Sequence, residues 1–275
     1  MRADETEDWA GVRHARARGD VRIASLVPSL TELLFALGLG HDVVARTGFC
    51  VHPRPAVRGV PKIGGTKDPD LARLRALAPT HLLVNVDENR REVVEEAATF
   101  VQHVVVTDPR VPDDNLRLYR LLGAVFARED AARSLCDRYV EARTAVRDVV
   151  RALPRERVLY LIWKRPWMSV RRDTYVSATL DCVGFDTLPA EADRRYPEIA
   201  DDAPAWRDAQ RILLSSEPYA FRQRDVDALA RAQGRPVDLV DGQWTSWYGV
   251  RAIEGLRSLA AWRAQRVRAP PSGAR

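Results

Sequence analysis

The stretch FCVHP, residues 49 to 53, sets Cys50 and His52 two apart. In extended backbone such residues share a face, so a thiolate and an imidazole there would reach one metal ion. A packed thiol beside a loop histidine bonded to backbone is the alternative. Two ligands do not complete a zinc site, and no CxxC or HxxxH accompanies them. Other side chains have the types for acid and base work: Glu217 near Tyr219, and Asp87 with Glu88. The chain has no GxSxG elbow, no P-loop and no GxGxxG; GLG (38–40) reads as a helix stop, and IGGTK (63–67) lacks the spacing of a phosphate cradle.

A second constellation is aromatic. IWKRPWM (162–168) places Trp163 and Trp167 around Lys164, Arg165 and a proline; SSEPYAF (215–221) carries Glu217 and Tyr219; DGQWTSWYG (241–249) carries Trp244, Trp247 and Tyr248. Rigid rings with polar edges, interleaved with cations, suit the grip of a bulky, partly apolar ligand by stacking and cation–π contact. Lys62, Lys67 and Lys164 are the only lysines of a chain that otherwise uses arginine, and all fall in these or equivalent loops.

The elements that must position these loops follow from the apolar pattern. Strands are expected at 21–27, 42–46, 81–86 and 103–108, with helices from Ser29, over 70–79 and over 89–100. SLTE (29–32) has the spacing of a capping box, with Ser29 as N-cap and Glu32 at N3. Leu135, Tyr139, Ala142, Val146, Val149 and Leu153 share one face of a long helix over 129–153. The second half repeats the style, with strands at 157–163, 211–215 and 236–240 and helices at 175–184, 223–234 and 249–263. Alternation of this kind means parallel sheets covered on both faces, whose ligands sit beyond the carboxyl ends of the strands.

The expected fold class is therefore α/β: two Rossmann-like lobes with mostly parallel sheets, joined by a single long backbone helix. The boundaries are a disordered start (1–20), a first lobe (21–112), a helical linker (113–154), a second lobe (155–263) and a disordered tail (264–275). With 43 basic against 38 acidic residues in 275, the excess charge is small for nucleic-acid binding. No apolar run is long enough to span a membrane or to form a signal-peptide core, and Cys50, Cys136 and Cys182 are too few and irregular for a disulfide framework. Cytoplasmic residence as a monomer, without membrane insertion, is expected.

RIASLVPSLTELLFALGLGHDVVARTGFCVHP (22–53), VPKIGGTKDPDLARLRALAPTHLLVNVDENRREVVE (60–95) and SWYGVRAIEGLRSL (246–259) together resemble the helical-backbone substrate-binding proteins for vitamin B12 and iron chelates. The resemblance runs from about 21 to 263. It implies a shallow cleft between the lobes, and ligand contacts at Pro28, Ser29, Phe49, Cys50, His52, Gly65, Thr66, Lys67, Asp87, Asn89, Arg90, Trp163, Lys164, Arg165, Trp167, Glu217, Tyr219, Trp244, Trp247 and Tyr248. It also makes the cobalt of a corrinoid a candidate metal for Cys50 and His52. The implied function is non-catalytic binding of cobalamin, another corrinoid, haem or a ferric siderophore, with no cofactor required, in association with ABC-type uptake. An enzyme acting on a corrinoid or other small molecule in the same cleft is the alternative. Two departures bear on permease docking: no export signal is visible, and the acid expected in PDLARL is Ala72, leaving Asp70, with Asp201 or Asp202 for the second lobe.

Overall fold

The computed structural model describes residues 5–268. They divide into two compact units. One comprises the chain up to Pro109 with Asp113–Arg138 and Tyr248–Val250; the other comprises Arg110–Pro112, Tyr139–Trp247 and the chain from Arg251.

The first unit contains β1 (Ile23–Ser25), α1 (Pro28–Ala36), β2 (Val43–Arg46), α2 (Leu71–Ala76), β3 (His81–Asn85), α3 (Arg91–Ala98), β4 (His103–Thr107) and α4 (Asp114–Val125). Its four strands are all parallel, in the order β2-β1-β3-β4. β3 is buried along its whole length, as a central strand of a doubly covered sheet must be. α1 differs from expectation at its start. Pro28 takes the first helical position, where its missing N–H costs nothing, so Val27 is the N-cap and Ser29 lies inside the helix without capping it.

The start of the chain corrects a second expectation, because residues 5–18 are not loose. The Asp8 carboxylate accepts from the backbone N–H groups of Ala10, Val12 and Val106 at 2.9–3.0 Å and pairs with His14 Nε2 at 2.9 Å. Trp9 N–H reaches Val106 O at 3.1 Å, so this segment covers the open edge of β4, and the Arg117 guanidinium lies 4.2 Å over the Trp9 ring.

α5 (Glu129–Val150) carries the chain from the first unit into the second, burying Leu135, Tyr139, Ala142 and Val146 along one side. Then come β5 (Glu156–Leu161), α6 (Tyr175–Asp181), β6 (Phe185–Leu188), α7 (Pro204–Asp208), β7 (Arg211–Ser215), α8 (Gln223–Gln233), β8 (Val237–Val240), α9 (Gly242–Ser246) and α10 (Arg251–Arg268). The second sheet is also parallel, in the order β6-β5-β7-β8. β6, α7 and α9 were not anticipated. α10 runs on to Arg268, into the tail expected to lack structure; residues 269–275 and 1–4 lie outside the described residues.

His81 and His103 begin β3 and β4 as register partners, with rings stacked at 4.7 Å. Burial, then the imidazoles of His103 and His14, push His81 down from 6.5 to about 4. The sign follows: a base held neutral contributes stability above its unfolded pKa and loses it as pH falls through the folded one. Relative to His81→Asn, the wild-type protein should gain about 3 kcal/mol between pH 4 and pH 6.5, read from urea midpoints at the two pH values. A difference that does not change with pH would contradict this.

Candidate ligand-binding loops

In each sheet the strand order reverses once, and the loops that leave the carboxyl ends on either side of that point diverge to open a crevice. In the first unit the switch point lies between β1 and β3, so Val27–Pro28 and residues 86–90 flank it. Asn89 holds the two sides together. Its Oδ1 accepts from Asn85 N at 2.8 Å, while its Nδ2 donates to Thr66 O at 2.8 Å and Leu26 O at 3.5 Å. Arg90 pairs with Asp68 at 2.9 Å, pinning the 64–68 turn a second time. That turn requires glycine at 64: φ is +96°, and a Cβ would stand 2.8 Å from Asp68 O.

Two large apolar side chains are left open on this edge, Phe49 at 64% and Val86 at 52% exposure. The Phe49 ring lies beside Gly65, while Lys67 and Asp87 are exposed and Pro28, Thr66 and His52 are half-buried. Ser29 is buried.

Cys50 is a correction. It has no exposed surface, and its sulfur lies 3.1 Å from both Thr31 Oγ1 and Thr47 Oγ1. Burial pushes the thiol up, against the lowering effect of those hydroxyls, so the thiolate a metal needs is disfavoured. Residues i and i+2 share a face only in regular extended chain. Here the thiol turns into the core. Among the described residues no three His, Cys, Asp or Glu side chains converge on a metal-sized site.

Tyr248 also differs from expectation. It is buried, belongs to the first unit, and donates from its hydroxyl to Glu88 Oε1 at 2.9 Å. Its neighbour Gly249 donates to Asn115 Oδ1 at 2.6 Å and accepts from the Tyr119 hydroxyl at 2.8 Å. Gly249 has φ +78°, and a Cβ there would stand 3.3 Å from Ser29 O. Glu88 is pushed up to about 7, by burial first and then by the Asp87 carboxylate, against the lowering effect of the Tyr248 bond. The sequence marked Glu88 only by residue type, as a possible acid or base; nothing in DENRRE signals its burial or its contact with Tyr248.

In the second unit the switch point lies between β5 and β7. The WKRPWM turn is closed by Met168 N–H to Trp163 O at 3.2 Å and Ile162 N–H to Met168 O at 2.9 Å, with Arg165 exposed at its tip in a left-handed conformation, φ +66°. Trp163, 39% exposed, meets Tyr219 edge-on at 5.5 Å, so one aromatic contact bridges the switch point. Behind it the rings continue inward: Tyr219 to Phe221 at 4.6 Å, Trp167 stacked on Phe221 at 6.2 Å and edge-on to Trp206 at 5.6 Å. Trp167 is thus largely a packing residue.

The charges here are already matched. Lys164 Nζ pairs with Asp225 at 2.7 Å, and that same carboxylate accepts the N–H of Arg222 at the start of α8. Glu217 accepts from Trp247 Nε1 at 3.2 Å and Gln243 Nε2 at 3.1 Å. Gly242 admits this approach, since a Cβ there would fall 2.9 Å from Glu217 N. Trp247 also carries the Arg251 guanidinium 5.0 Å over its ring, and Trp244 is half-buried with its backbone packed on Gly255. Asp225 and Gln243 were not singled out in the sequence; nothing in their local pattern marks a partner across the loop.

Known proteins share this fold. The "Vitamin B12-binding protein" of Pectobacterium carotovorum subsp. carotovorum (strain PC1) is 24% identical over 244 residues, 87% of each chain. Among solved structures, the periplasmic vitamin B12 binding protein BtuF of Vibrio cholerae aligns with TM-score 0.76 and 17% identity over 89% of this chain and 98% of its own. The periplasmic heme-binding protein RhuT from Roseiflexus sp. RS-1 aligns with TM-score 0.75 and 21% identity over 90% and 99%. The periplasmic binding protein model matches residues 23–234, across β1 to the end of α8. A chain matched over most of its length, with the whole first sheet and three strands of the second, belongs to the periplasmic binding protein family, and its role is to bind, not to catalyse.

Proposed function

We propose that the protein binds a planar metal chelate, cobalamin or a related corrinoid in the first place, with Trp163 as its chief aromatic contact. The observation that carries this is the exposed Trp163–Tyr219 pair at the β5/β7 switch point, set among charges that are already internally paired. With Lys164 and Glu217 so engaged, Arg165 at the exposed tip is the cation of this turn left to meet a ligand's charge. A broad ring fringed with neutral amides fits such a surface. Vitamin B12 binding by relatives supports the choice, and haem binding by others makes haem the competitor to test.

The experiment is a titration of the purified protein with cobalamin, cobinamide, haem and a ferric siderophore, following tryptophan fluorescence and the ligand's visible band. Cobalamin is expected to bind most tightly. Trp163→Ala should weaken it about tenfold, roughly 1.4 kcal/mol for a lost stacking contact, while leaving the fold intact. No response to any of the four would remove this function.

Cytoplasmic residence is part of the proposal. Cys50, Cys136 and Cys182 form no disulfide, which suits a reducing compartment. Fractionation of the producing cells tests it. As for permease docking, Asp70 is occupied as the cap of α2, accepting from Arg73 N at 2.9 Å, while Asp201 and Asp202 are exposed.

A further inference from the structure

At the amino-terminal edge of the first unit's sheet, away from the loops described above, lies a cavity of about 480 Å3. The stacked His81 and His103 form one wall, Thr80 and Gln102 flank them, and the N-terminal segment lays Arg16 and Arg18 across the opening. No carboxylate lines it. The acids nearby are committed elsewhere: Asp8 holds His14 and three backbone N–H groups, and Glu129 pairs with Arg16 at 2.8 Å from outside the lining. Among the described residues Arg18 has no carboxylate partner.

The His81 imidazole is oriented by Thr80. Thr80 Oγ1 accepts from Arg22 N at 3.0 Å, donates to Arg22 O at 3.2 Å, and lies 2.8 Å from His81 Nδ1. With the hydroxyl proton on Arg22 O, Nδ1 carries the ring hydrogen, and Nε2 becomes a second donor when the ring takes up a proton. Protonation is opposed by burial and by His103 and His14, a cost that a bound anion would offset. The Arg18 guanidinium, the Gln102 amide and, once protonated, the His81 imidazole face one small space and form a donor set for oxygens bearing negative charge.

We propose that this cavity is a second binding site, for a small oxyanion such as a phosphate or polycarboxylate, independent of the chelate-binding loops. The test is calorimetric titration of the full chain with inorganic phosphate and with citrate at pH 6 and pH 8, at matched ionic strength, with the histidine C2 proton signals followed in parallel. Saturable binding is expected, tighter at pH 6, with the His81 titration moved upward by the anion. Whichever probe binds more tightly identifies the headgroup. Arg18→Gln should weaken it about tenfold, the loss of one charge-assisted contact, while Arg224→Gln on the exposed start of α8 should not. Absence of saturable binding, or equal losses from the two substitutions, would overturn the site.

Discussion

Arg263→Ala is expected to destabilise the protein by about 3–5 kcal/mol, because it empties the centre of a buried charge network. Arg263 has no exposed surface. Its Nη1 donates to Glu156 at 2.7 Å, Nη2 to Pro154 O at 2.7 Å and Nε to Val183 O at 2.9 Å, and the guanidinium lies 3.9 Å over Phe185. Removing it strands two carbonyls, leaves Glu156 with Arg211 at 2.8 Å, and opens a void between α10 and the β5–β6 edge. Lysine should not rescue it, since one ammonium cannot reach three acceptors set in a fork. Arg266, more than a third exposed and paired with Asp238, should cost under about 1 kcal/mol on truncation. Urea unfolding of the three variants gives the comparison; an Arg263→Ala loss no larger than that of Arg266→Ala would show the network to be unimportant.

Glu88→Gln should act in the opposite direction and only at the basic end. A carboxyl raised from 4.5 to about 7 contributes stability that is complete below 4.5 and lost as pH rises through 7. At pH 8 the wild-type protein therefore bears an ionised, half-buried carboxylate, a burden of about 2–3 kcal/mol. Glutamine keeps an acceptor for the Tyr248 hydroxyl without the charge. The variant should be more stable than wild type by that amount at pH 8 and nearly equal to it at pH 5. The Glu88 slope opposes that of His81 over the range they share, so in wild type the two partly cancel, and Glu88→Gln should uncover the rise due to His81. A stability gain independent of pH would place the effect elsewhere.

The frame of this fold was legible because apolar runs and helical spacing report burial directly. β7 stands where RILLS predicts it, and α5 matches its stripe to within three residues at the end. β6 escaped because FDTL alternates only once, with Thr187 rather than a hydrophobe as its second inward residue. Ser29 shows a different failure: a capping-box spacing was present, but the proline before it set the N-cap two residues earlier, at Val27. At the loops, residue type announced which segments gather and not which way each ring points. Trp163 faces solvent, Trp167 packs on Phe221, and Tyr248 turns to a carboxyl 160 residues away; only the paths of the surrounding chain separate these outcomes.

The Tyr248–Gly249 contacts have a consequence for anyone wishing to produce the first half of the protein by itself. A gene ending after Arg138 would encode all four strands of that sheet yet omit the donor to Glu88, the N–H that meets Asn115 and the carbonyl that meets Tyr119. Such a truncation product should express poorly or aggregate, and supplying residues 248–250 through a designed linker would be the first remedy.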